Sequence, residues 1–258
     1  MRIARNPFID EGGRIYFSHG PILRTYLFVP LALAILTFIW WPRSPFSFYV
    51  RTATSPQTFT FIAVGMCVCL AYLSSRYGAE DYSSDQYFRL REYVTLTPVP
   101  LGLLVAGKLG FGIFHSLFLL LLGAPFGLAS LAVSGIAPVT AARALLVIGS
   151  SALACRMVGF FLLTLMHERQ LLRDFIMMVG GTLYVVLSIS SFPKGNAISA
   201  ILSLTSLEAG LPTTARMFGA AIPFYMYSVL MSAMVVAVLS AGVLVTLALE
   251  RRRARLKG

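Results

Sequence analysis

Six runs of apolar residues, each close to the length of a bilayer crossing, leave this chain few folds to choose from. They cover residues 22–41, 57–75, 102–122, 144–166, 175–192 and 224–249. A helix rises about 1.5 Å per residue, so such runs match a hydrocarbon core of about 30 Å. Backbone amides in lipid must find partners within their own segment, which makes helices the reading of these runs. Hydrophobic residues are 57 % of the 258 and charged residues only 12 %, too little polar surface for a soluble domain of this size. The expected fold class is therefore all-α: a polytopic membrane protein with six transmembrane helices, one transmembrane domain over residues 1–258. The loops are too short for a nucleotide-binding or catalytic domain. The first run is full length with no A-x-A-like site behind it, so it reads as a span rather than a cleaved signal peptide.

The net charge of +11 could point to nucleic acid, but its distribution points to topology. With the N-terminus inside, the inner segments hold Arg2, Arg5, Arg14, Arg24, Arg76, Arg89, Arg91, Lys108, Arg169, Arg173, Arg251, Arg252, Arg253, Arg255 and Lys257. The outer segments hold only Arg43, Arg51, Arg143, Lys194 and Arg216. This bias predicts that both termini are cytoplasmic. The basic tail reads as an anchor against anionic lipid, and no nucleic-acid partner is expected. Cys67, Cys69 and Cys155 fall inside apolar runs and read as small core hydrophobes, not metal ligands.

Residues 1–21 interleave arginines with Ile3, Phe8, Ile9, Ile15, Tyr16 and Phe17, which suits an N-terminal segment lying in the membrane interface. Gly12 and Gly13 are expected to break it into two short pieces. Residues 76–101 form the longest charged stretch, with Glu80, Asp81 and Asp85 ahead of Arg89 and Arg91, an order that suits a helix dipole. The segment reads either as a plain solvated turn or, on the large contact residues Tyr82, Tyr87, Phe88, Leu90 and Tyr93, as a docking surface. Pro125 either kinks the third run or ends it ahead of an outer hairpin. Residues 193–223 are expected to be an extracytoplasmic re-entrant segment, since the apolar stretch 197–207 is too short to span.

Catalytic sets are missing. Gly102, Gly107 and Lys108 nearly spell a P-loop, but Leu109 replaces the Mg²⁺-binding hydroxyl and the intervening residues head into lipid, so Lys108 reads instead as an inner-face anchor whose stem snorkels. No H-E-x-x-H occurs and no pair of carboxylates lies in the apolar runs, so neither an enzyme nor a resident cofactor or metal is expected. The same lack of acids disfavours an ion-coupled secondary transporter. Two ionisable residues do lie near mid-depth, His115 and Arg156. An arginine there costs about 2.5–3.5 kcal/mol on insertion scales. Arg156 must therefore face carbonyls, water, a partner subunit or an anionic substrate.

From Tyr93 to Pro138 the chain resembles the permeases of ABC-2 type exporters. The resemblance rests on Leu96-Thr97-Pro98-Val99-Pro100, then Gly107-Lys108-Leu109, a leucine-rich third helix over 117–122, Pro125-Phe126, and an outer turn Gly135-Ile136-Ala137-Pro138. The Glu-x-Gly-Thr element common upstream in that family is absent, and Asp85 and Arg91-Glu92 stand in its region. The resemblance implies a type V exporter-like permease fold in a bacterial plasma membrane. It also implies a dimer of permeases driven by two copies of a separate ATPase subunit that carries ATP and Mg. Asp85, Tyr87, Phe88, Arg89, Arg91 and Glu92 would form the coupling element, with Glu168 and Arg169 as a second contact. His115 and Arg156 would belong to the substrate path or gate. The alternative is an ABC-like membrane module or scaffold of a cell-envelope machine with no small-molecule substrate.

Overall fold

Helices carry almost all of the described residues. The computed structural model describes residues 7–18, 24, 26–41, 56–79, 100–166, 168–190, 196–205, 213–217 and 219–256. In chain order these form α1 (Pro7–Ser18), α2 (Phe28–Trp40), α3 (Pro56–Ala79), α4 (Leu101–Ser134), α5 (Pro138–Leu165), α6 (Gln170–Ser190), α7 (Ala197–Thr205), the strands β1 (Thr214–Met217) and β2 (Ala220–Pro223), and α8 (Phe224–Arg255).

Four of these helices, α3, α4, α5 and α8, are long and apolar enough to cross a bilayer. They are the helices of a multi-pass membrane protein. The other two expected spans differ. Over its described length α2 has 13 residues, about 20 Å of helix, which falls short of the hydrocarbon core. With 21 residues α6 has the length, but Arg173 and Asp174 occupy its first turns.

The third run is longer than its composition suggested. Helix α4 continues through Pro125 to Ser134 and ends where Gly135 adopts φ +67°, a left-handed cap that glycine reaches without strain. Pro138 then opens α5 at its first turn, where its missing N–H costs nothing. The turn between these two residues makes α4 and α5 a long hairpin.

Helix α3 is the hub, packed on α2, α4, α5 and α7. Its closest crossing is with α5, where two glycines let backbones touch. A Cβ on Gly159 would collide with the carbonyl oxygen of Ser75 and sit 2.7 Å from the amide nitrogen of Ala79. A Cβ on Gly78 would collide with the carbonyl oxygen of Arg156. Close approach at small residues is how helices associate in lipid, where apolar burial drives little. Helix α8 lies against α5 and is the least enclosed of the four long helices.

Three expectations need correction. Gly12 and Gly13 do not break α1, which is one helix from Pro7 to Ser18. Its buried stripe, Phe8, Gly12 and Tyr16 at four-residue spacing, faces α4 rather than lipid. Gly12 permits this contact, since a Cβ there would lie 2.7 Å from the Phe111 ring. Lys108, read as a snorkelling anchor, is only 4 % exposed.

The short apolar stretch at 197 does form a helix, α7, but it is inserted among α3, α5 and α8, with Ala197 to Ile201 buried. Behind it β1 and β2 pair antiparallel, Ala215 with Ile222 and Arg216 with Ala221, a hairpin that the sequence pattern did not announce. Gly219 at φ +86° supplies the tight connection.

Candidate functional site

The two deep ionisable residues meet. His115 lies on α4 and Arg156 on α5, and the Arg156 side chain reaches across at Gly112, where a Cβ would stand 3.1 Å from Arg156 Cδ. Glycine at that position leaves the slot for the arginine stem. At its end, Nη1 of Arg156 donates to Nδ1 of His115 over 2.7 Å.

That contact sets the rest. A guanidinium has donors only, so Nδ1 carries no proton and the imidazole is the neutral Nε2–H form. Nε2–H then donates to the Tyr26 hydroxyl at 2.8 Å. The hydroxyl proton of Tyr26 is left to the carbonyl of Tyr16, at a longer 3.4 Å. Tyr16 in turn donates its own hydroxyl to the carbonyl of Tyr77, 2.8 Å away in the last turn of α3. One directed chain thus runs from α5 through α4 and the residue ahead of α2 to α1, and a further bond ties α1 to α3.

Aromatic rings enclose this chain. The His115 ring stacks on Phe111 at 5.8 Å and lies 5.0 Å from Tyr16 and 5.1 Å from Tyr77 between centroids. Cζ of Arg156 sits 5.1 Å from the Tyr16 ring centre and 5.2 Å from that of Phe111. His115 is fully buried and Arg156 is 3 % exposed. A desolvated cation–π contact contributes about 2 kcal/mol, and a hydrogen bond from a charged donor about 1.5–3 kcal/mol. These terms offset an insertion cost of about 2.5–3.5 kcal/mol. Two ring faces and a neutral imidazole are thus among the groups that hold the cation.

Chemically the cluster is a joint. Both imidazole nitrogens are engaged and the ring is sealed, so no face is open to a metal or a nucleophilic role. Two apolar cavities adjoin the bundle, one of about 710 Å³ between α3, α4 and α5 and one of about 620 Å³ between α3, α5 and α6. Neither His115 nor Arg156 lines either one.

The remaining expected site residues divide. Glu168 and Arg169 occupy the turn between α5 and α6, both exposed, with the Arg169 amide donating to the Met166 carbonyl at 3.0 Å. Asp85, Tyr87, Phe88, Arg89, Arg91 and Glu92 lie outside the described residues. Sequence reasoning missed Tyr16, Tyr26, Tyr77 and Phe111. Tyr26 carried a usable signal, a hydroxyl inside an apolar run that must find a partner. Tyr77 was assigned to a loop, whereas α3 continues past it to Ala79.

Comparison of the chain with protein-family models, curated proteins and solved structures gave no match.

Proposed function

We propose that this chain is the membrane-spanning permease subunit of an ATP-binding cassette exporter, working as a dimer with a separate ATPase on its cytoplasmic face. The observation that carries this reading is the α4–α5 hairpin. Its turn, from the left-handed Gly135 to Pro138, falls at the outer turn of the ABC-2 pattern, and the residues before it carry that pattern's Gly107-Lys108-Leu109. The reading takes α2, extended by its flanking apolar residues, and α6 as two further spans, giving six in a bacterial inner membrane with both termini inside.

In this reading ATP and Mg are bound by the partner chain. Residues 102–109 of this chain are helical, part of α4, and do not form a phosphate-binding loop. Closure of the ATPases presses on residues 80–93 and on the turn at Glu168 and Arg169. The Arg156–His115–Tyr26 joint carries the push between α1, α4 and α5, so that these helices move together and act as the gate rather than as a surface touching cargo.

The test is purification from native membranes with mild detergent. A co-purifying subunit with a complete P-loop, together with nucleotide-dependent substrate movement in proteoliposomes, is the expected result. Persistent isolation of the chain without any nucleotide hydrolysis overturns the proposal. Hydrolysis by a bound partner without transport of any substrate favours the envelope-scaffold alternative.

A further inference from the structure

The larger cavity runs along the outward flank of α4 and α5. Its floor comes from α3 and the small-residue face of α5, including Met66, Ala144 and Gly149, and its rim from exposed leucines. Leu117, Leu121 and Leu146 on that rim are 59 %, 69 % and 54 % exposed. On two membrane-spanning helices such a rim opens sideways into lipid hydrocarbon, not into water. The volume of about 710 Å³ is that of a ligand pocket. Along α4 the lining extends from Ile113 to Leu131, about 27 Å of helix, which suits a long, thin occupant.

One polar atom breaks the apolar wall. Ser116 lines the cavity, is 4 % exposed, and its hydroxyl has no hydrogen-bond partner among the described residues. Ser150, the other serine on the lining, bonds the carbonyl of Val147 in its own helix at 3.0 Å. A buried hydroxyl left unpaired costs about 1–3 kcal/mol, which a ligand oxygen at that point would recover. Ser116 sits near the middle of α4, at a depth where bilayer phospholipid presents hydrocarbon and its ester oxygens stay at the interface.

We propose that this cavity is a binding site for a single-chain acyl amphiphile with a small, neutral head, such as a protonated fatty acid. Its chain lies along α4 from Ser116 towards Leu131, and its head oxygen accepts the Ser116 hydroxyl proton. The site draws its ligand laterally from the bilayer. It rests on the membrane-spanning character of α4 and α5 and does not depend on the chain being a transporter.

Photolabelling tests this. The full chain, reconstituted in phosphatidylcholine nanodiscs, is exposed to palmitic acid carrying a mid-chain diazirine, and the labelled peptides are mapped. The expected result is saturable labelling within 113–131 and 141–153, competed by palmitic acid but not by the unoxidised alkane of equal length. Ser116→Ala should weaken binding about fivefold, the loss of one hydrogen bond. Ala142→Trp, at the exposed rim, should abolish labelling without disturbing the core, and Leu145→Trp serves the same purpose if the first variant aggregates. Labelling spread evenly over the outward faces of α4, α5 and α8 would show ordinary annular lipid and overturn the site. So would equal competition by the alkane, or indifference to Ser116→Ala.

Discussion

Arg156 and His115, 41 residues apart, share a 2.7 Å hydrogen bond inside the helix bundle, and its direction fixes the proton on the imidazole. The bond matters more for what its loss strands than for what it adds. His115→Leu takes from a buried guanidinium its 2.7 Å acceptor, and Arg156→Leu takes from Nδ1 that donor. Removing one partner of a buried hydrogen bond costs about 1–3 kcal/mol, and more where the group left behind is charged, whereas replacing both by apolar groups is often near neutral. The double variant is therefore expected to be more stable than His115→Leu alone. Denaturant titration in mixed micelles measures the cycle, and strict additivity of the two single changes would rule out the coupling.

Glycine at the α3–α5 crossing leads to a second expectation. Gly159→Ala places a methyl against the Ser75 carbonyl and the Ala79 amide, neither of which can swing aside as a side chain can. The helices must separate, at a cost above about 3 kcal/mol, beyond ordinary overpacking. Gly180→Ala on α6 is the control, because nothing lies within 4 Å of its added Cβ. There alanine should stabilise by up to about 1 kcal/mol through helix propensity. Thermal unfolding of the two variants, run side by side, should move in opposite directions.

The broad architecture was written in hydropathy, because lipid forces apolar runs into helices whatever else the chain does. Helices α3, α4, α5 and α8 follow from that constraint alone, and Gly135 with Pro138 marked the turn between α4 and α5 by backbone preference. The joint was only half legible. His115 and Arg156 stood out because ionisable groups are costly at depth. Their pairing did not, since nothing in the one-dimensional pattern places residue 115 opposite residue 156. Tyr16 was misassigned for a related reason: an amphipathic helix reads the same whether its apolar face meets lipid or protein, and the glycine that decides it, Gly12, looked like a breaker. The β1–β2 hairpin escaped because its strands are four residues each, too short to show alternation.

The hydroxyls of Tyr26 and Tyr16 should be separable. Tyr26→Phe removes both the 2.8 Å acceptor for Nε2–H and the donor to the Tyr16 carbonyl, and should cost about 1–3 kcal/mol because both bonds lie in a buried site. Tyr16→Phe removes the bond to the Tyr77 carbonyl and keeps the ring beneath Arg156, so its cost should be near 1 kcal/mol. Tyr16→Ala loses the ring as well and should approach the cost of a large core truncation, about 3–5 kcal/mol. Equal losses for Tyr16→Phe and Tyr16→Ala in the same denaturation assay would remove the cation–π contact from the account.

Functional coupling can be tested apart from folding at the exposed turn. Glu168 and Arg169 are both solvent-facing, so Glu168→Lys with Arg169→Glu should leave the unfolding midpoint nearly unchanged, within about 0.5 kcal/mol. The exchange preserves the net charge, and with it the topology signal, while inverting the pattern offered to a partner. If a separate ATPase grips this face, the exchanged chain should capture it less well from native membranes, and its nucleotide hydrolysis should no longer respond to substrate. If the same partner also binds the segment before α4, Tyr87→Ala with Phe88→Ala should uncouple hydrolysis from transport in the same assay by removing apolar contact area. A chain that tolerates both sets, with partner capture and stimulated hydrolysis intact, is not driven through these two segments.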